Sequence, residues 1–216
     1  MSEFRVGRSA SSEGNPEPAA LAVDRVVITR DSILQWKIEG RVFYCQQGNA
    51  GTKLDFAETS YDEDQPQFAL IVPEGTLCIP LAMNVTLEDV GGTENHLIWS
   101  LTTNDIGAGT STALAPVNYR RDNKFSPACK ANSLYTANAT AASGLIEVKR
   151  WYRPFASAGV TDGTDLHHYP WSINDPEMPV LVGPATLQFH CYATSDGPHG
   201  FGEYTWIELP AASVGL

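Results

Sequence analysis

The clearest alternation of apolar and polar residues lies near the middle of the chain. Every second position from 81 to 87 is apolar, at Leu81, Met83, Val85 and Leu87. A period of two places one face of a strand against a core, so we predict a half-buried antiparallel strand here. Because Pro80 has no N–H to donate to a sheet ladder, it predicts an edge or a bulge where that strand begins.

Segments rich in β-branched and aromatic residues, separated by Gly, Pro, Asn and Asp, predict further strands. They are residues 22–29, 33–45, 68–72, 94–103, 145–152, 187–193 and 203–209. Turns are predicted at Asp31-Ser32, at Pro73 to Gly75 and at Gly91-Gly92. No segment combines a helical period with caps, and the nearest candidate, residues 133–142, is short and Thr-rich.

About eight antiparallel strands without intervening helices indicate an all-β protein, and the count is that of a single jelly-roll β-sandwich or barrel. Two long connections, residues 104–133 and 153–179, are predicted loops suited to recognition or subunit contacts. Residues 1–20 have the composition of a flexible N-terminal arm, which leaves residues 21–216 as one jelly-roll domain.

The closing segment, TLQFHCYATSDGPHGFGEYTWIELP, combines two histidines and a cysteine with several aromatic residues. In a strand, His190 and Cys191 point to opposite faces, which argues against a shared metal ion. We predict a final hairpin in which residues 203–209 pair with residues 187–193 and His199 lies at an exposed tip. Its role is then to complete a sheet.

Charge and composition argue against nucleic-acid binding and against a membrane span. The chain has 14 Lys and Arg against 25 Asp and Glu, a formal net charge of -11, which disfavours binding to nucleic acid. Arg5 and Arg8 in the N-terminal arm are too few to change this expectation. The opening residues lack a signal-peptide core and no apolar run is long enough for a membrane span, so we expect a soluble protein made in the cytosol or exported without its own signal.

Motifs for catalysis or metal binding are weak throughout the sequence. The adjacent pair His167-His168 meets the same geometric objection as His190-Cys191, and no H-x-H or H-E-x-x-H occurs. Asp62, Glu63 and Asp64 could offer oxygen ligands to Ca²⁺, although a solvated acidic turn is the simpler interpretation. Nucleophile-elbow and phosphate-loop patterns are also missing, and residues 107–113 (GAGTSTA) lack the flanking strand and helix of an elbow. We therefore assign no catalytic, cofactor-binding or metal-binding residue, and no cofactor.

The four cysteines, at positions 45, 78, 129 and 191, lack C-x-x-C spacing, so reduced and mostly buried thiols are expected.

Tyr152, Tyr169 and Trp171 flank the second long loop, where solvent-facing rings would stack on sugars. Half-buried sheet-edge positions or subunit contacts are the alternative for these rings.

Two stretches, LIVPEGTLCIPLAMNVTLED and ATLQFHCYATSDGPHGFGEYTWIELP, carry a resemblance. In pattern, residues 21–210 resemble the single jelly-roll capsid proteins of tailless icosahedral bacteriophages. The resemblance implies a mobile arm, long loops, symmetric contacts with copies of the same chain and with other virion proteins, and location in the virion after synthesis in the host cytoplasm. The acidity departs from this pattern, and it favours a shell separated from the genome by a membrane or another protein, or an outer decoration protein.

We therefore expect a structural virion protein, not an enzyme, that self-assembles into an icosahedral shell through loops and sheet edges. A carbohydrate-binding β-sandwich module, on a phage fibre or attached to an enzyme, is the first alternative. A β-sandwich glycoside hydrolase is the second, because two catalytic carboxylates need not be close in sequence. The sequence leaves four points open: contact with an internal membrane or a glycan, a divalent ion at subunit contacts, the host, and the capsid geometry.

Overall fold

The structure is a computed structural model, and it describes residues 32–48, 51–56, 58–88, 94–122, 125–154, 167–193 and 198–214. The predicted arm (1–20), the predicted strand 22–29 and the Gly91-Gly92 turn lie outside these residues. The helical elements are α1 (Ser32–Glu39) and a 3-10 turn (Ala211–Val214). The strands are β1 (Val42–Gln47), β2 (Leu54–Asp55), β3 (Phe68–Val72), β4 (Thr76–Leu87), β5 (Glu94–Thr102), β6 (Thr110–Ala113), β7 (Val117–Asn118), β8 (Lys130–Ala137), β9 (Ile146–Pro154), β10 (His167–Tyr169), β11 (Leu181–Val182), β12 (Ala185–Ala193) and β13 (His199–Pro210).

Two antiparallel sheets form a sandwich, which confirms the predicted all-β class. One sheet has the order β10-β4-β13-β1-β7, with β11 beside β4 and β2 beside β13. The other has the order β6-β8-β3-β12-β5-β9. Strands far apart in sequence therefore pair within each sheet.

Eight of the strands pair in a nested pattern. β1 pairs with β13, β3 with β12, β4 with β10 and β5 with β9. Each of these pairs therefore lies, along the sequence, between the two strands of the pair before it. Successive pairs alternate between the two sheets. The chain is thus arranged as one long antiparallel hairpin wrapped around the core, with β6, β7 and β8 added between β5 and β9.

The core between the sheets is rich in aromatic side chains. Trp99 on β5 contacts Trp171, Phe189 on β12 and Tyr204 on β13, with ring centroids 4.9 to 6.0 Å apart. Phe68 on β3 stacks on Tyr204 with centroids 3.7 Å apart. Aromatic pairs of this kind add roughly 0.5–1.5 kcal/mol each beyond the burial of their area, so they help hold the sheets together.

The bulge that Pro80 predicts is present in β4. Along β13, Thr205 pairs with Ala82 but the next residue, Trp206, pairs with Pro80, so Leu81 is the extra residue. The bulge shifts the inward-facing phase of β4, because Cys78 faces the core before it and Met83 after it. A single strand of twelve residues can therefore fill the core along its whole length despite a proline.

The predicted strand over residues 33–45 is only half correct. Residues 32–39 form the helix α1, and the strand β1 begins at Val42. Gly40, at φ 77°, ends the helix, and the N–H groups of Gly40 and Arg41 donate to the carbonyl oxygens of Lys37 and Trp36. Glycine in this left-handed conformation is a common helix stop, and it is a sequence signal for the helix that β-propensity alone does not contain.

The predicted closing hairpin is wrong. β12 lies in the six-stranded sheet between β3 and β5, whereas β13 lies in the seven-stranded sheet between β1 and β4. The connection therefore crosses from one sheet to the other. Both strands are central in their sheets. β12 is buried on both faces and β13 alternates between buried and partly exposed residues, and neither pattern distinguishes a hairpin from a crossing connection.

The two predicted long loops contain regular structure. β6, β7 and the start of β8 lie within residues 104–133, and the string GAGTSTA ends in β6. Residues 133–142, the nearest helix candidate, begin in β8 and do not form a helix. β10 lies within residues 153–179, of which 155–166 are outside the described residues.

Candidate functional site

His190 and Cys191 lie on opposite faces of β12, as the alternation predicts. Cys191 is part of the core between the sheets, and His190 lies on the outer face, 4.9 Å from the ring of Tyr61. Burial lowers the pKa of His190 to about 4, because desolvation disfavours the imidazolium and the nearby Asp62 opposes this only in part. His190 is therefore a neutral, packed side chain at neutral pH.

The other candidate histidines are also separated. On β10, His167 is buried and His168 is exposed, with Nδ1 of His168 3.0 Å from Oγ1 of Thr86. The prediction that His199 lies at an exposed tip is wrong. His199 is half-buried in β13, with its Nε2 3.8 Å from Oδ1 of Asp55. Among the described residues, no three His, Cys, Asp or Glu side chains are grouped so that they could hold a metal ion.

The acidic segment around Asp62 is a hydrogen-bonded turn. The carboxylate of Asp62 accepts the N–H of Asp64 and the side-chain amide of Gln65, both at 2.9 Å. Asn138 donates to the carboxylate of Asp64 at 3.1 Å. These oxygens therefore fix the path of the loop across the outer face of the six-stranded sheet.

All four cysteines are buried and free, as expected for structural thiols. Cys78 and Cys129 hydrogen-bond to each other, and this contact together with burial raises the pKa of Cys129 far above its usual range. Burial alone raises the pKa of Cys45 to about 12. Thiols with such a pKa are not nucleophiles at neutral pH.

Of the three rings considered for a solvent-facing platform, two are buried. Trp171 is 0% exposed and packs against Trp99, and Tyr169 is buried against Trp151. The backbone around Trp171 bonds to the bulged part of β4, since the carbonyl of Trp171 accepts the N–H of Met83. This pairing turns the indole into the core, and only Tyr152 is left on the surface.

A different aromatic row crosses the outer face of the six-stranded sheet. Tyr192, His96 and Tyr152 occupy directly paired positions on β12, β5 and β9. The rings of His96 and Tyr192 stack with an interplanar angle of 3° and centroids 4.6 Å apart, and Tyr152 follows at 4.9 Å from His96. Tyr61, in the loop between β2 and β3, extends the row, with its ring centroid 6.3 Å from that of Tyr192. We call these four residues the aromatic row.

Charged groups border the aromatic row. The hydroxyl of Tyr152 donates to the carboxylate of Glu94 at 2.9 Å, and this bond raises the pKa of Tyr152. Arg150 on β9 forms a two-bond ion pair with Glu147, which raises the pKa of the guanidinium. Tyr61 and Tyr152 are 41% and 53% exposed, so the row is accessible at both ends. Such a surface can bind planar or ring-shaped ligands by stacking and hydrogen bonding.

A cavity of about 260 Å³ lies where the end of β13 meets the start of β4 and residues 125–128. Glu208 lines it, and its carboxylate already accepts three N–H groups: those of Ala128, Cys129 and the Trp206 indole, at 2.6 to 3.1 Å. Arg41 lies over the ring of Phe125, 4.8 Å from its centroid. The carboxylate of Glu208 and the guanidinium of Arg41 are therefore already engaged in contacts within the fold.

The edges of the sheets differ in their suitability for contacts. β9 is the longest edge strand of the six-stranded sheet, and it carries a bulge at Val148 and the charged side chains Glu147, Lys149 and Arg150. Bulges and charges of this kind are the devices by which natural edge strands avoid pairing with another chain. In the seven-stranded sheet the edges are the short strands β7 on one side and β10 and β11 on the other.

No protein-family model matches this chain, and no curated protein sequence is significantly similar to it. In the part of the chain that the structure describes, no helix has the length and apolar character needed to span a membrane.

Proposed function

We propose that this chain is a structural virion protein that self-assembles into an icosahedral shell, and that its sandwich is a single jelly roll. The observation that carries the proposal is the nested pairing of eight strands, with successive pairs alternating between the sheets. A jelly roll has two facing sheets of this kind, each formed from strands distant in sequence. The later strands β6, β7 and β8 are additions at the edges of that arrangement.

The chemistry of the described residues supports a structural role. His190, Cys45 and Cys129 have pKa values that keep them uncharged at neutral pH, and the buried carboxylate of Glu208 accepts three hydrogen bonds. The apolar side chains exposed at the edges of the seven-stranded sheet supply contact area. A shell subunit acts through such contacts and does not need a reactive centre.

The net charge of -11 argues against direct contact between this subunit and the genome. Packaging against phosphate requires Lys and Arg clusters, because counterion release drives that contact. We therefore place the protein in a shell that is separated from nucleic acid by a membrane or another protein, or among the outer decoration proteins of a virion.

Size-exclusion chromatography with light scattering, followed by negative-stain microscopy, tests this function. We expect concentration-dependent or salt-dependent oligomers that form closed shells or regular fragments of them. A strict monomer at every concentration, including high salt, would overturn the proposal.

A carbohydrate-binding module is the second candidate, and the aromatic row favours it. Exposed rings at both ends, Tyr61 and Tyr152, are bordered by the carboxylates Glu94 and Glu147 and by Arg150. Rings supply stacking surfaces for sugars, and charged groups supply hydrogen bonds to hydroxyls. Trp171, the residue that the sequence suggested for this role, does not contribute because it is buried.

A glycan array followed by calorimetric titration distinguishes the two candidates. A carbohydrate module would bind a defined glycan, and Tyr61→Ala and Tyr152→Ala would each weaken that binding at least tenfold. Tyr119→Ala is the matched control, since it removes an exposed tyrosine from the other sheet. Binding that is equally insensitive to all three substitutions would exclude the aromatic row as the platform.

A further inference from the structure

Two patches that combine exposed apolar and exposed charged side chains lie at opposite edges of the seven-stranded sheet. The first, which we call the β7 edge, consists of Lys37, Ile38, Val117, Tyr119 and Arg121. The second, the β11 edge, consists of Glu74, Ile173, Glu177, Val180 and Val182. Strands β4, β13 and β1 separate the two edges, a distance of roughly 19 Å at the usual strand spacing.

The β7 edge is held together by its own contacts. The ammonium of Lys37 lies 5.0 Å from the centroid of the Tyr119 ring, and Arg120 donates to the carbonyl oxygen of Ile38 at 2.8 Å. Val117 pairs with Tyr44 on β1, next to Tyr119. The exposed apolar side chains of this edge, Ile38, Val117 and Tyr119, are 44 to 46% exposed.

The β11 edge is fixed against β4. Val182 pairs with Leu77, and the N–H of Ile173 donates to the carbonyl oxygen of Leu81 at 3.0 Å. The turn that contains Ile173 is closed by the carboxylate of Asp175, which accepts the N–H and hydroxyl of Ser172. The valines and isoleucine of this edge are 38 to 60% exposed.

The two edges carry opposite charge. Lys37 and Arg121 are exposed at the β7 edge, where the guanidinium of Arg120 is already paired with Asp122. Glu74 and Glu177 are exposed at the β11 edge, where Glu177 is paired with Lys149 of β9 at 3.4 Å, and residues 167–185 contain neither Lys nor Arg. In a chain of net charge -11, this separation gives one basic apolar patch and one acidic apolar patch on the same sheet.

We infer that the β7 edge of one copy binds the β11 edge of the next copy, in a head-to-tail contact. This rests on the proposed self-assembly and specifies the surfaces that carry it. A two-fold contact through one edge alone would set that patch against itself and bring groups of like charge together, and such like-charge contacts cost free energy. The head-to-tail contact instead brings the cations of the β7 edge towards the carboxylates of the β11 edge, with apolar side chains from both edges between them, which matches the apolar centre and polar rim of protein interfaces.

Both edge strands are too short to extend a sheet by backbone pairing, since β7 and β11 have two residues each. Side chains therefore provide the contact. A head-to-tail contact either closes into a ring or continues as an open chain, and a ring of subunits is the unit from which a closed shell is built.

Two blocked variants test the contact. Ile38→Ser/Val117→Ser/Arg121→Gln blocks the β7 edge, and Glu74→Gln/Val180→Ser/Val182→Ser blocks the β11 edge. All six positions are exposed, so folding is expected to be retained, and circular dichroism checks this. The control is Ile146→Ser, an exposed isoleucine on β9 in the other sheet, which should assemble as the wild type does.

By light scattering, we expect each blocked variant to be monomeric alone and their equimolar mixture to form dimers that do not grow further. Dimers formed by either variant alone would indicate a two-fold contact and overturn the inference. If the wild type assembles and both variants assemble equally well, this inference fails while the shell proposal stands. A strictly monomeric wild type would overturn both the contact and the shell proposal. If the wild type forms rings but no shells, the result supports the contact and contradicts the shell proposal.

Discussion

The hydroxyl of Tyr204 donates a hydrogen bond to Oε1 of Gln47 at 2.7 Å, and both side chains are fully buried. Nε2 of Gln47 donates in turn to the carbonyl oxygen of Gln67, and Oε1 of Gln67 accepts the N–H of Cys191 at 2.6 Å. This chain of hydrogen bonds runs from β13 and β1 in one sheet to β12 in the other. It therefore fixes the two sheets relative to each other by directional bonds, in addition to apolar packing.

Tyr204→Phe should lower the free energy of unfolding by about 1–3 kcal/mol, because Oε1 of Gln47 would stay buried without its donor. The stack of residue 204 on Phe68 is retained, so the change reports the hydroxyl alone. Urea denaturation at neutral pH measures the effect. Tyr152→Phe removes an exposed hydroxyl bonded to Glu94 and should change stability by less than ~0.5 kcal/mol. Equal effects of the two substitutions would contradict this prediction.

Glu208→Gln should destabilise the protein by about 1–3 kcal/mol. The carboxylate of Glu208 only accepts hydrogen bonds, whereas an amide would point its NH₂ group at one of the three N–H donors. Charged acceptors also form stronger bonds than neutral ones. Thermal and urea unfolding measure the loss, with the exposed Glu74→Gln as the matched control of unchanged stability.

His190 should make the protein less stable in acid. Its pKa is about 4 in the folded protein, so between pH 6.5 and 4 the unfolded chain binds a proton that the folded chain does not. The unfavourable contribution is zero above pH 6.5, grows as the pH falls, and reaches about 3 kcal/mol near pH 4. Urea unfolding of the wild type and of His190→Gln at pH 7 and pH 4 isolates it, because the other groups titrate in both. Parallel pH dependences of the two proteins would refute the assignment.

Two glycines with positive φ should differ in their tolerance of alanine. Gly75 has φ 76° and open space around an added Cβ, so Gly75→Ala should cost only the roughly 1–2 kcal/mol of a left-handed residue. Gly109 has φ 49°, and an added Cβ would lie 2.0 Å from the carbonyl oxygen of Ala137. Gly109→Ala should therefore cost clearly more, since β6 must move away from β8. Urea unfolding of both variants compares them directly, and equal costs would count against the close approach.

Local patterns predicted single strands well. The apolar run at Phe68–Val72 forms β3 with the predicted bounds, and the alternation ending at Leu87 forms the second half of β4. Pro80 predicted the irregularity beside it, because a missing N–H is a property of the residue itself. The helix α1 differs from the predicted strand although Gly40 marks its end, because Ile33, Trp36 and Ile38 have high β-propensity.

Residues of the aromatic row are spread over positions 61 to 192 and share no motif. Tyr192, His96 and Tyr152 become neighbours only through the registers of β12, β5 and β9. Trp171 was misassigned for the same reason, since its burial depends on pairing with the bulged part of β4. A pattern along one strand states which residues share a face, but not what faces them.

The sequence by itself determined the all-β class, most strand positions, the opposite faces of His190 and Cys191, and the acidic charge, because these depend on residue types and a period of two. Only the tertiary structure decided that β12 and β13 lie in different sheets, that Trp171 is buried, and that the basic β7 edge and the acidic β11 edge border one sheet. Strand pairing joins residues far apart in the chain, and which pairing wins depends on how all strands fill one core together.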